Sequence, residues 1–103
     1  MFSFYSKVAG VTFEGRQRYI RDMYRNSSTA LILRRDRNNP YDSNAVAVIN
    51  EYGQQIGFLS RDVASKIAPR MDAGIKVTAK VSAINVGEVG CNAGVNIYIE
   101  VEE

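Results

Sequence analysis

Apolar and polar residues alternate along some stretches of this chain and recur at helical spacing along others, and those two periods lay out its elements. Phe2 to Val11 contains alternating stretches and predicts a first strand ending near Gly10. In Arg16–Tyr24, Ile20, Met23 and Tyr24 share one helical face while the arginines sit on others, which predicts a short helix. Asn26-Ser27-Ser28 breaks it, and Thr29–Arg34 follows as an aliphatic second strand. A polar, turn-rich run, Asp36-Arg37-Asn38-Asn39-Pro40-Tyr41-Asp42-Ser43-Asn44, leads directly into a third strand, Ala45–Ile49. Glu51-Tyr52-Gly53-Gln54 has the composition of a hairpin turn before a fourth strand, Gln55–Leu59.

Ser60 is placed to cap a second helix, since its hydroxyl can accept from a first-turn amide, and Asp62 complements the helix dipole there. Pro69 is expected to end or kink that helix before Arg70–Ala73, with Gly74 as a left-handed cap. Ile75–Ile84 alternates along its length as an amphipathic strand, a Gly-rich turn runs from Val86 to Gly94, and Val95–Val101 forms the last strand. Six strands and two short helices predict a mainly β fold, a small barrel with helical plugs. There is no internal repeat, low-complexity tract or interdomain linker.

Length supports one unit: 103 residues with 46% hydrophobic content fit a single domain over residues 1–103 with one modest core. No apolar run approaches the roughly 18 to 20 residues of a membrane span, and the start of the chain lacks the pattern of a signal peptide. A cytoplasmic location is the expectation. With no histidine and one cysteine there is no Ser-His-Asp triad, no Cys-His dyad, no Cys/His zinc site and no disulfide within the chain. Cys91 lies in Gly90-Cys91-Asn92-Ala93-Gly94 without a basic neighbour, as a turn thiol does.

The net charge of +2 hides an asymmetry. Residues 1–40 carry Lys7 and seven arginines against Glu14, Asp22 and Asp36, a balance of +5, and the rest of the chain is at −3. Arginine's planar fork suits phosphate better than a lysine point charge does. On charge alone, a nucleic-acid surface and an ordinary solvated basic face remain equal alternatives.

The run Leu33-Arg34-Arg35-Asp36-Arg37-Asn38-Asn39-Pro40-Tyr41-Asp42-Ser43-Asn44-Ala45-Val46-Ala47-Val48 resembles the HIRAN domain and its L-x-R-x-x-x-N-P-Y-D-x-N-A-I-x-V hallmark. Val8–Gly15 is similar to that family's opening strand, Ile56-Gly57-Phe58-Leu59 to its I-G-Y-L strand, and Val63–Gly74 to its A-x-x-L-A-P-x-x-D-x-G helix, in the family's order. The likeness extends over roughly residues 7 to 101. It implies an OB-like six-stranded barrel with two short helices that binds DNA, notably the 3′-hydroxyl end of a single strand. It also implies a stand-alone, bacterial-type copy of a domain that eukaryotic relatives carry in front of chromatin-remodelling-type helicases. The implied partners are single-stranded DNA or DNA ends and a helicase or nuclease acting alongside, with no cofactor and no metal.

A single-strand binder needs an aromatic platform, because every base has a stackable face, and cations for the backbone. Tyr41 and Phe13 are the candidates for the platform. Asp42 is the candidate acceptor for a terminal hydroxyl, since a carboxylate accepts that proton and repels a terminal phosphate. Among cations Arg61 and Arg35 come first. Arg61 opens the second helix, whose N-terminal amides favour the same anion. Arg34 and Arg37 flank the motif, and Arg16, Arg18 and Arg21 belong to a solvated helix face. The alternative for the central run is a plain turn in which Asp42 or Asn44 bonds its own backbone and Tyr41 lies flat on the barrel.

Two departures from the family pattern concern the pocket. Thr12 and a single Phe13 stand where end-binding members carry a basic residue and paired aromatics, and Phe58 replaces a polar ring. A protein-interaction module that recruits a DNA-processing partner is the competing function, separable by salt because phosphate contacts weaken steeply with ionic strength. An enzyme is disfavoured for want of a nucleophile–base pair, a phosphate loop or paired carboxylates.

Overall fold

The computed structural model describes residues 1–87 and 90–103. Its elements are β1 (Phe2–Ala9), α1 (Arg16–Arg25), β2 (Ala30–Arg35), β3 (Val46–Asn50), β4 (Gln55–Leu59), α2 (Arg61–Asp72), β5 (Val77–Asn85) and β6 (Gly94–Val101). The strands close into an antiparallel barrel in the order β1-β4-β3-β2-β5-β6. The expected six strands and two helices are all present, within two residues of their predicted bounds except at the end of α2. The predicted turn from Val86 to Gly94 includes Glu88 and Val89, which lie outside the described residues.

Strict alternation puts one face of β6 into the core, with Val95, Ile97, Ile99 and Val101 buried. Val46 and Val48 from β3 and Ile56 and Leu59 from β4 meet them. The helices close the core: α1 supplies Ile20 and Met23, and α2 supplies Ala64, Ile67 and Ala68. Among the described residues no helix is long and apolar enough to cross a membrane.

Two local expectations need correcting. Of the end or kink expected at Pro69, the end does not occur: the second helix runs through Pro69 to Asp72. Proline removes the hydrogen bond to the carbonyl of Ser65 and crowds it, yet Ser65 and Pro69 both lie on the exposed side, where that carbonyl can meet solvent. The end still forms as expected: Gly74 is left-handed (φ 85°), and the amides of Gly74 and Ile75 donate to Met71 and Arg70. In β5 the alternation fails, because a register shift between Val81 and Ala83 inserts a bulge that returns Ile84 to the core side.

The β3–β4 hairpin is held by one buried side chain that sequence composition does not single out. Asn50 Oδ1 accepts from the amides of Tyr52 (3.0 Å) and Gln54 (2.9 Å), and its Nδ2 donates to Gln54 Oε1 at 2.9 Å. Asn50→Ala orphans those turn amides and is expected to cost about 2 kcal/mol of stability, checked by urea unfolding. A change below about 0.5 kcal/mol would mean the turn holds by backbone bonds alone.

Candidate functional site

Two loops and the β4–α2 junction build one cleft. The first loop leaves β1 at Gly10 and tightens through two turns, the amide of Phe13 donating to the Gly10 carbonyl and that of Arg16 to the Phe13 carbonyl. Arg16, the first residue of α1, folds back beneath this loop. Its Nη1 donates to the Gly10 carbonyl at 2.8 Å, its Nη2 reaches Glu14 Oε2 at 3.4 Å, and its guanidinium carbon lies 5.3 Å from the Phe58 ring centroid. With the loop fastened from below, Phe13 projects outward and is 65% exposed.

The second loop, between β2 and β3, is knitted by its own short side chains. Asn39 Oδ1 accepts from the amides of Tyr41 (2.9 Å) and Asp42 (3.1 Å), and Asp42 Oδ1 accepts from the amide of Asn44 at 2.9 Å. Arg35 clamps the loop from inside, donating through Nη1 to the Ala45 carbonyl, through Nη2 to the Ser43 carbonyl and through Nε to Asp72 at 3.0 Å. From the other side Arg61 Nη2 donates to the Tyr41 carbonyl at 2.7 Å, and its Nε lies 3.9 Å from Asp42 Oδ2. The plain turn is therefore real for Asp42, but Tyr41 does not lie flat: it is 85% exposed, held out by a loop pinned on both sides.

Phe13, Tyr41, Phe58, Arg16 and Arg61 line a cleft of about 790 Å³, together with Ala9, Gly10 and Glu14. A smaller hollow of about 240 Å³ shares Tyr41, Phe58 and Arg61 and adds Asn39, Asp42, Ala45 and Leu59. The volume of the larger cleft falls within the range of small-ligand sites, and apolar ring faces beside guanidinium groups suit a flat, anionic ligand. Among the described residues no cluster of His, Cys, Asp or Glu could hold a metal.

The structure brings Phe13, Tyr41, Asp42 and Arg61 together, and it leaves Thr12, Arg35 and Arg37 elsewhere. Thr12 is exposed but does not line the cleft. Arg35 has a side chain only 10% exposed, and it and Arg37 share Asp72, Arg37 Nη2 donating to Oδ1 at 2.7 Å. The assignment of Arg16 to a solvated face is corrected, because its side chain is 8% exposed and sits under the cleft. Arg21 likewise is engaged, with Nη2 donating to the Cys91 carbonyl at 2.6 Å. Phe58 was legible only as a missing polar ring. As the residue that lines both hollows and meets Arg16, it is the aromatic that sequence reasoning undervalued.

The two guanidinium groups on Asp72 give this scaffold a pH dependence. The hydrogen bond from Arg35, then that from Arg37, holds the Asp72 carboxyl below its ordinary value. A group with a folded pKa below its unfolded one stabilises fully above the unfolded value, about 4, and loses that contribution as pH falls through the folded value. The melting temperatures of the protein and its Asp72→Asn variant should therefore differ at pH 6, and the gap should narrow progressively as the pH falls below about 4. A gap that stays constant across that range would separate Asp72 from the stability of the loop.

A closed antiparallel barrel carrying a cleft of ring faces and guanidinium groups is an arrangement suited to binding. The comparisons agree with this class and narrow it. Over 47 residues, 46% of the chain, it is 45% identical to the helicase-like transcription factor of Homo sapiens and 43% identical to that of Mus musculus. The matched stretch spans only 5% of the length of these relatives. In three dimensions the crystal structure of the HIRAN domain of human HLTF superposes with a TM-score of 0.70 at 23% identity, covering 96% of this chain and 74% of that one. A crystal structure of a protein from Lactobacillus plantarum superposes with a TM-score of 0.65 at 18% identity, covering 96% and 99%. The HIRAN domain family model matches residues 1–102, and the chain belongs to that family. The HIRAN domain is a binding domain and not a catalytic one.

Proposed function

We propose that the cleft binds the 3′-hydroxyl end of a single-stranded DNA. The observation that carries this reading is the display of two exposed aromatics, Phe13 and Tyr41, from separately braced loops into one cleft that also holds Phe58 and Arg61. Bases stack on such rings whatever their identity, and the cost of ordering the platform has already been met by the loop hydrogen bonds. Arg61 donates through Nη2 to the Tyr41 carbonyl and approaches Asp42 Oδ2 to 3.9 Å through Nε, and its other guanidinium donors serve a phosphate at the α2 N-terminus. Asp42 lines the smaller hollow with Tyr41 and Arg61; its Oδ1 is committed to the Asn44 amide, and its Oδ2, 3.9 Å from Arg61 Nε, is the oxygen left to accept the terminal hydroxyl proton. The partner this reading implies is a helicase or nuclease that acts on the bound end.

The test is fluorescence anisotropy with one labelled strand bearing either a 3′-hydroxyl or a 3′-phosphate. Losing a charge-assisted hydrogen bond and adding repulsion at Asp42 should weaken the phosphorylated strand about tenfold or more. Asp42→Asn keeps an oxygen for the Asn44 amide but removes the charge, so it should narrow that gap while leaving the fold intact. Equal binding of both strands by the unaltered protein reduces the reading to generic single-strand binding. No binding at low salt transfers the cleft to a protein ligand.

A further inference from the structure

The outer face of β1 carries a second aromatic and basic surface that begins where the cleft ends. Ala9 lines the cleft, and alternation places Lys7 and Tyr5 on the same exposed face of that strand while Val8 turns into the core. Register then extends the surface sideways. Tyr5 pairs with Tyr98 of β6, and Tyr98 pairs with Lys80 of β5, so the three side chains stand in one row across three strands. The Tyr5 and Tyr98 ring centroids are 4.8 Å apart at 53°, and Lys80 Nζ lies 5.6 Å from the Tyr98 ring centroid.

In the row nearer the cleft, Lys7 pairs with Asn96. The β5 bulge brings Ser82 to the same place, and Tyr5, Ser6, Lys7, Ser82 and Asn96 line a hollow of about 370 Å³. Among the described residues neither Lys7 nor Lys80 has an ion-pair partner. The row beyond holds Ser3, Glu100 and Thr78, and its carboxylate ends the basic character of the face. Tyr98 Oη donates to Ser3 Oγ, which fixes the ring, while Tyr5 remains 72% exposed in the middle of a strand.

We propose that this face takes the part of a single strand that leaves the cleft, with a base stacked on Tyr5 and Tyr98 and phosphates on Lys7 and Lys80. The inference rests on the cleft reading and extends it. A polyanion is the occupant because the patch pairs stackable rings with ammonium groups that have no ion-pair partner among the described residues and is continuous with the cleft through Ala9. From Ala9 to Tyr5 the strand spans about 13 Å. At about 3.4 Å per stacked nucleotide the patch is reached roughly four nucleotides from the cleft.

The experiment is amide-resonance titration of the whole protein with a trinucleotide and a nonanucleotide of the same 3′-hydroxyl sequence, a method that reads millimolar affinities. The trinucleotide should move the resonances of Phe13, Tyr41 and Phe58 only. The nonanucleotide should also move those of Tyr5, Lys7, Tyr98 and Lys80 and bind about tenfold tighter. Tyr5→Ala, and separately Lys7→Ala with Lys80→Ala, should leave the trinucleotide affinity unchanged and bring the nonanucleotide down towards it. The lysine pair should also flatten the salt dependence by about 1.4 in log-log slope. Cleft resonances that respond to the nonanucleotide with none on β1, or an affinity that does not rise with length, overturns the track and leaves the cleft reading standing. A trinucleotide that leaves the cleft unmoved overturns the cleft reading and the track with it. Shifts at Tyr5 and Tyr98 that depend on protein concentration, without oligonucleotide, assign the face to self-association and overturn the proposal.

Discussion

Tyr41→Ala is expected to weaken single-strand binding about tenfold to a hundredfold, the loss of one base–ring stack of roughly 1–3 kcal/mol. Its stability should change by no more than about 0.5 kcal/mol, because the side chain is 85% exposed and the loop is held by other groups. Asn39 bonds the Tyr41 amide and Arg61 bonds its carbonyl, and both contacts are to backbone that alanine retains. Tyr41→Phe keeps the ring face and should bind within about threefold of the unaltered protein. Anisotropy with an unstructured oligonucleotide, run beside thermal unfolding of each variant, separates lost stacking from lost structure. An alanine variant that binds as tightly as the original removes Tyr41 from the interface.

Gly57→Ala should be the most destabilising single methyl that can be added to this barrel. A Cβ at that position would run into the carbonyl oxygen of Ala9 and come within 2.5 Å of Val8 Cγ1. Neither can step aside, since Val8 pairs with Leu59 and Ala9 with Phe58 along the short β1–β4 seam that closes the barrel. Overpacking against backbone is expected to cost about 3 kcal/mol or more, which for a domain of this size lowers the melting temperature by roughly 12–24 °C. Binding should fall with it even below the melting transition, because Ala9, Gly10 and Phe58 line the cleft. Thermal unfolding and anisotropy at 10 °C check both halves, and a melting temperature within 3 °C of the original would show that the seam can open without cost.

Much of the barrel was legible in the sequence because its signals are local. The alternation of Val95, Ile97, Ile99 and Val101, the Ser60 cap and the left-handed Gly74 each depend on a few neighbouring residues, and the structure bears them out. Of the two alternatives at Pro69, an end of the helix was ruled out by a tertiary fact, that Ser65 and Pro69 lie on the outer side of α2, where the lost hydrogen bond costs least. The β5 alternation failed because a bulge is a property of two paired strands and leaves little mark on one.

The site divides in the same way. Sequence alone placed Tyr41, Asp42, Phe13 and Arg61 among the candidates through the likeness of one motif, and determined that the chain has no histidine-based or paired-thiol chemistry. Only the tertiary structure decided what each cation meets. Arg35 and Arg37 converge on Asp72, 37 and 35 residues away, and Arg16 turns inward to the Gly10 carbonyl beneath Phe58, while Arg61 stays 73% exposed beside Tyr41. An arginine's reach is longer than the spacing of neighbouring strands, so a side chain's partner is set by whichever carboxylate or carbonyl the fold brings within that reach, and sequence distance carries no record of it.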